Sequence, residues 1–423
     1  MHGSVLWSES SSAQSEIFRG DYLGQELPGR KPELFAPELF SLWNDYGFHL
    51  LSSAYFSPNG RNLFFTDEMH PVAIGRSTSV WQMQQINDYW SEPQKASFSG
   101  DYSDYGALFS YDGKTVYFVS TRPIGSKGAP KDLDIWFTRK TAGQWAEPLR
   151  FDYPINTESN DILGGTDTRG SVFLSSDRPG GMGGFDAYRV DYSDGRYKEP
   201  ENLGLCVNTK AQEYVVCVAP DADFLIVYRV DTNNEADAGL YISYRDPDGT
   251  WTDAKSMGDH INIHNATCAS LSPDNQYLFF FSQGEGIYWM KAEVIDYLRV
   301  EDLRISDILH KAYVQKGLDA ALVEYHELKK RHADYMAIDE YLLNGRGHQL
   351  LDANRVSEAI ALFRINVAVF PASWNAYDSL GEAYLKAHET ELAIQNYRRS
   401  LALNPENDNA YQVLRKLDAV PER

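Results

Sequence analysis

The sequence predicts a multidomain β + α chain: a β-propeller of five blades, with six as the alternative, followed by an all-α domain of helical repeats. Three observations predict it. Turn-bearing segments return about every 53 residues over the first two thirds of the chain. Two further markers keep the same register. Near Val300 the pattern then changes to a helical period, and Gly and Pro nearly vanish from the segment interiors.

The turns come first. Ser57-Pro58-Asn59-Gly60, Ser110-Tyr111-Asp112-Gly113, Thr166-Asp167-Thr168-Arg169-Gly170, Ala219-Pro220-Asp221-Ala222 and Ser272-Pro273-Asp274-Asn275 begin 53, 56, 53 and 53 residues apart. Gly accepts φ > 0 and Asp or Asn bonds its own backbone, so these are hairpin turns. Each leads into an apolar strand, Asn62–Phe65, Thr115–Val119, Ser171–Leu174, Phe224–Val227 and Tyr277–Phe281. A second marker, Trp90-Ser91-Glu92-Pro93, recurs as Trp145-Ala146-Glu147-Pro148, Tyr197-Lys198-Glu199-Pro200 and, eroded, Trp251-Thr252-Asp253-Ala254. A third lies in the strand before it: Val80-Trp81, Asp134-Ile135-Trp136, Asp186-Ala187-Tyr188, Leu240-Tyr241 and Ile287-Tyr288-Trp289. A small sheet of about four strands buries both faces only by packing on its neighbours, and a ring of such sheets is a propeller. The fifth unit lacks its last strand, and Lys31-Pro32-Glu33-Leu34-Phe35 resembles the missing piece, so the two ends of the propeller are expected to share a blade. Six blades would require strands from residues before Asp21.

These repeats resemble the WD-like propeller units of the TolB type, which read roughly F-S-P-D-G-x3-hydrophobic-x-F and later D-I-Y. The Ser57–Gly60 and Ser272–Asn275 units match best, and the stretch from Ser175 to Asp186 resembles the S-D-R-P-G-G form of envelope-associated members. The likeness covers about residues 31–298 and departs at Thr166–Gly170, where a longer turn is expected. It implies a scaffold and an exported, periplasmic bacterial setting, cytoplasmic being the alternative. The first sixteen residues show neither a basic n-region nor an adequate apolar h-region, although a Ser/Ala-rich start is what a trimmed leader leaves.

In the second half, Gly347, Leu350, Ala359, Phe363 and Pro371 return 34 residues later as Gly381, Tyr384, Ala393, Tyr397 and Pro405. This resembles the tetratricopeptide repeat, in which small residues let paired helices approach. A weaker unit holds Ala321 and Tyr325, and Asp408–Leu417 starts a capping helix. By repeat position a peptide-binding groove is expected to be lined by Tyr341, Asn344, His348, Leu351, Asn375, Asp378, Glu382, Leu385 and Lys386. The alternative is that the helices only cap the propeller or a dimer. The domains read as an extension over 1–30, the propeller over 31–298 and the helical repeats over 299–423.

Composition narrows the chemistry. The formal charge is 39 − 60 = −21, of which residues 1–298 hold −18 and 299–423 hold −3. With no basic footprint, nucleic acid is a poor partner. No run of about 18 uncharged apolar residues is present, so no membrane span is expected. Cys206, Cys217 and Cys268 allow one disulfide or none. Neither a G-x-S-x-G elbow, a P-loop nor an H-E-x-x-H helix occurs. The glycines at 180–184 read as a flexible rim loop. His260 and His264 have i, i+4 spacing but fall in a connection, so no metal is assigned to them, and no cofactor is expected. Asn156, Asn208 and Asn262 recur in step and read as side-chain anchors to turn backbone.

Arg122, Asp134, Arg178 and Asp186 recur as pairs. They read either as a polar ligand site at the funnel mouth or as intrablade Arg-to-Asp bridges that anchor each hairpin. The function expected is non-enzymatic: a binding or scaffold protein with a protein or peptide in the helical groove and an envelope protein or polysaccharide at the propeller. One alternative is a glycoside hydrolase drawing on acids such as Asp161, Glu213, Asp231 and Asp237 across the funnel. The other is a structural oligomerisation module.

Overall fold

A computed structural model describes residues 18–40, 48–69, 77–124, 132–141, 143–231, 234–258, 261–262, 266–332 and 340–417. His260, His264 and residues 1–17 lie outside them, as do the side chains of Asp237 and Tyr341. Backbone contacts divide the chain into two compact units, 1–294 and 295–423.

The first unit is a five-bladed propeller. From the axis outward, blade 2 consists of Asp104–Phe109, Thr115–Ser120, Asp134–Thr141 and Leu149–Arg150. Blade 3 consists of Asp161–Thr166, Val172–Ser176, Asp186–Val190 and Glu201–Asn202. Blade 4 follows with Gln212–Val218, Phe224–Asp231, Asn234–Tyr244 and Lys255–Ser256. Blade 1 is irregular inside, where Phe48–Leu50 and Tyr55–Phe56 both pair with Asn62–Met69 before Ser77–Ile86 and Gln94–Lys95. Blade 5 takes Ala266–Leu271, Tyr277–Ser282 and Gly286–Lys291 from the end of the unit and its outer strand, Glu33–Leu34, from the beginning. Glu33 lies opposite Trp289 and Leu34 opposite Tyr288, so the ring closes through a shared blade as its sequence pattern implied.

The turn network explains the repeat. In blades 1, 2 and 5 the first-position serine accepts from the backbone N–H five residues on: Ser57 from Asn62, Ser110 from Thr115 and Ser272 from Tyr277. Each hydroxyl also donates to the third turn residue, Asn59, Asp112 or Asp274. Blade 3 does not have the longer turn expected from its sequence. Asp167 fills the serine slot, accepting from the N–H groups of Arg169 and Ser171 while its own carbonyl takes that of Gly170. The carboxylate reaches the N–H groups two and four residues on where the serines reach the one five residues on, so the turn starts one residue later and keeps four residues.

Two glycine clusters are set by close approach. A Cβ on Gly164 would sit 2.3 Å from that of Val215, which lets the inner strands of blades 3 and 4 run close together. The loop at 180–184, expected to be flexible, is instead pinned. Asp186 accepts from the N–H groups of Met182 and Gly183, and a Cβ on Gly183 would lie 1.8 Å from the Ala211 carbonyl oxygen of blade 4.

The second unit is helical: α1 Glu293–Lys316, which begins just before the division, then α2 Leu318–His332, α3 Glu340–Asp352, α4 Val356–Val369, α5 Trp374–Lys386, α6 Thr390–Leu403 and α7 Asp408–Lys416. Consecutive helices from α3 to α7 pack on one another. A Cβ on Gly347 would meet the Phe363 ring at 2.3 Å and one on Gly381 the Tyr397 ring at 3.0 Å, so each glycine admits the aromatic of the partner helix. Ser373 caps α5 and Asn407 caps α7, each accepting from the N–H group three residues on. No described helix is long and apolar enough to cross a membrane. All three cysteines are free thiols.

Candidate binding sites

Arg122 and Arg178 sit in identical settings just past the second strands of blades 2 and 3. Each Nε donates to a serine two residues earlier, Ser120 at 2.9 Å or Ser176 at 3.0 Å. Each guanidinium lies over the ring of the third strand, Trp136 or Tyr188. The remaining donors go to a backbone carbonyl and to the acid that opens the inner strand: Phe98 and Asp104 in blade 2, Ile155 and Asp161 in blade 3. Blade 4 repeats the device with Arg229, the Val207 carbonyl, Glu213 and the Tyr241 ring. The acids are themselves held from the preceding connection, Asp104 by Ser99 and Gly100, Asp161 by Thr157, Glu213 by Thr209. The ion pairs measure 2.8, 2.7 and 2.9 Å, and all three acid side chains are fully buried.

Asp134 and Asp186, which recur beside these arginines in the sequence, have other partners. Asp134 takes both arms of Arg150 at 2.6 Å, while Asp186 holds the glycine loop and accepts from Asn202. The structure therefore brings each arginine to the acid of the inner strand, not to the acid of the third strand. Asn156, Asn208 and Asn262 bond both ways with the backbone of Ile135, Ala187 and Leu240, doing the work of a ladder residue. Asp231 is exposed at the hairpin between the second and third strands of blade 4.

The propeller axis holds a cavity of about 250 Å³ to which the inner strands of all five blades contribute. Its mouth lies among the repeated turns, where Pro58, Tyr111, Pro220 and Pro273 stand at equivalent second positions. Deeper in, Tyr55, Phe109, Val216 and Cys217 form the wall. Burial raises the Tyr55 phenol well above its ordinary value and pushes the Cys217 thiol up to about 12, so both keep their protons at neutral pH. Sequence reasoning missed this site.

In the helical unit the expected groove residues meet across α3, α5 and α7. His348 Nε2 lies 3.1 Å from the Ser379 hydroxyl, and its Nδ1 lies 3.9 Å from Glu382. Lys386 donates to the Leu351 carbonyl, and Asn375 donates to Glu340. Asp378 accepts from Asn407 and Asn409, tying α5 to α7. Asn344 and Leu351 are buried, whereas Leu385 is half-buried. The Ser379, His348, Glu382 order resembles that of a hydrolase triad. Ser379 is 3% exposed, however, and lies in mid-helix, where neighbouring N–H groups serve the helix and offer no oxyanion hole. Among the described residues no group of three or more His, Cys, Asp or Glu converges as a metal site.

No family model matches the chain. No curated protein matches it either. Solved structures are similar in part. The first TPR of Spaghetti, bound to the HSP90 peptide SRMEEVD, is 24% identical, covering 28% of this chain and 90% of that one at a TM-score of 0.20. A Mycobacterium tuberculosis puromycin-hydrolyzing peptidase is 14% identical over 58% of this chain and 37% of its own, at 0.34. An α-L-arabinofuranosidase from Lactobacillus brevis is 11% identical over 54% and 81%, at 0.35. Likenesses at these scores carry no argument about activity.

Proposed function

We propose that this chain is a non-catalytic binding protein whose helical unit takes up a protein segment on the face shared by α3, α5 and α7. One observation carries the reading. His348, Asn375, Asp378, Glu382 and Lys386 are held in register by bonds between successive first helices, so a polar face is organised before any partner arrives. The propeller, by its resemblance to TolB-type repeats, is the part proposed to meet an envelope protein or polymer in a periplasmic setting. Against the glycosidase alternative, Asp161 and Glu213 are each locked to an arginine and a threonine, which makes them anchors and not a pair of acids facing across a funnel.

The test is capture of partners by the intact chain from envelope and cytoplasmic extracts, alongside a Glu382→Lys, Lys386→Glu double variant. Loss of the captured protein in the variant, with its circular dichroism unchanged, supports the reading. Capture that survives charge reversal, or turnover of glycans by the intact chain, overturns it.

A further inference from the structure

The axial cavity has three properties that together define a ligand. The first is charge: none of the side chains that line it is charged, so an ion placed there would lose its water without a counter-ion. At the rim, Asp167 and Asp221 are close enough to act electrostatically on Tyr111, which further disfavours an anion. The second is size. An apolar cavity of roughly 150 Å³ accepts benzene, so about 250 Å³ fits one substituted ring or two fused rings. The third is wall chemistry. Phe56, Phe109 and Tyr111 present aromatic surface from two adjacent blades, and rings pack on such walls edge-to-face or offset.

Polar groups, the hydroxyls of Tyr55 and Thr166 among them, distinguish the site from a plain apolar void. The Tyr55 hydroxyl makes no hydrogen bond to the described residues, although Tyr55 lines the cavity and its phenol keeps its proton. Ser270 is already committed, its hydroxyl donating to the Ala54 carbonyl. Tyr55 thus brings to the cavity wall a donor that no described residue has claimed.

We propose that the axial cavity binds an uncharged aromatic molecule of one or two rings that carries a hydrogen-bond acceptor for Tyr55. The site is independent of the helical face, and each of the two readings stands or falls without the other.

The experiment titrates the full chain with phenol, indole and 2-naphthol, and with 2-naphthalenesulfonate as the anionic counterpart, by calorimetry. Saturable binding of at least one neutral probe, with the sulfonate at least tenfold weaker, is expected. Tyr55→Phe keeps the volume and removes the donor, and it should weaken the oxygen-bearing probes about tenfold, the worth of one hydrogen bond. Val216→Trp fills the cavity and should abolish binding. Should Val216→Trp fail to fold, Tyr55→Phe carries the test. The proposal is overturned by equal affinity for the sulfonate, by unchanged binding in Tyr55→Phe, or by no saturable binding of any neutral probe at millimolar concentration.

Discussion

Blades 2, 3 and 4 are each pinned by one buried carboxylate and one arginine, whereas the seam where blade 5 meets blade 1 is pinned by rings. At the seam Phe35 lies 5.1 Å from both Phe279 and Trp289, and Tyr22 stands 5.4 Å from Phe56 and 5.5 Å from Tyr277, all as ring centroids. The difference follows from where the chain is cut. Within a blade the connection that brings the serine or threonine also brings the acid, so a directional polar anchor assembles locally. At the seam the partners come from opposite ends of the unit and must find one another over the whole ring. Non-directional apolar burial, about 25 cal/mol per Å², tolerates the imprecision of that meeting better than a buried ion pair does.

The largest effect should come from the seam. Trp289→Ala removes a ring that is 1% exposed and touches Phe35, Tyr277 and Phe279, and such truncations cost about 3–5 kcal/mol. Denaturant unfolding measures it, and a loss under about 1 kcal/mol would mean that the outer-strand pairing of Glu33 and Leu34 closes the ring by itself. Next comes the anchor. Arg178→Met keeps an unbranched side chain of similar reach but removes the guanidinium over Tyr188 and leaves Asp161 buried without its counter-ion, a change expected to cost about 3 kcal/mol. Adding Asp161→Leu should restore most of that loss, since removing both charges also removes the desolvation cost. If the double variant is as unstable as the single one, the pair acts through the Thr157 and Ile155 bonds and not through its charge. Trp289→Ala and Arg178→Met share no partner, so their costs should add within about 0.5 kcal/mol.

The same contrast shows what the sequence disclosed. The turns, the aromatic-x-Glu-Pro strands and the closing segment at Glu33 repeat because each is a local device with a fixed reach. The arginines repeat too, but their true partners stand 18, 17 and 16 residues away in blades 2, 3 and 4, and one partner is a glutamate, so no fixed spacing marks them. A usable signal was nearby: Thr157 and Asp161, like Thr209 and Glu213, are four residues apart directly after the recurring asparagines. The axial cavity was not legible because it depends on register shifts in the inner strands, between Leu163 and Gly165 and between Val215 and Cys217, which no residue type announces. In the helical unit a repeat of 34 fixes which helix each expected residue falls on, so the positions of His348 on α3 and of Asn375, Asp378 and Lys386 on α5 were legible.

Alkaline titration separates the two sides of the molecule at smaller scale. Cys217 in anchored blade 4 holds its proton up to about 12 from an ordinary value of 9, because burial dominates. Cys268 in seam blade 5 is also raised by burial, but bonds from Thr267 and the Ser53 backbone oppose the rise. A thiol with a raised folded-state value leaves stability intact below pH 9 and withdraws it as pH climbs to that value, about 12 for Cys217, at about 1.4 kcal/mol per pH unit. Cys217→Ala should therefore flatten the fall in stability over that window more than Cys268→Ala does. Melting curves at stepped pH check it, and equal slopes in the two variants would show that the hydrogen bonds at Cys268 do not offset its burial.

The smallest effect tests whether the blades are equivalent at all. Blade 4 has Ala219 where blades 1, 2 and 5 have serine, yet its backbone makes the same turn: Ala219 and Phe224 bond, and the Ala222 N–H reaches the Ala219 carbonyl. A serine there would find the Phe224 N–H as donor and the Asp221 carboxylate as acceptor, by analogy with Ser272, Tyr277 and Asp274. Both partners exist before the substitution, so the hydroxyl enters a prepared slot and Ala219→Ser should add about 1 kcal/mol. Ala219 is 1% exposed, which sets the opposing term: a slot already closed by packing would strain around one added oxygen. A gain in the denaturation midpoint identifies the four turns as one device with a part missing, and a loss shows that blade 4 has repacked around the alanine.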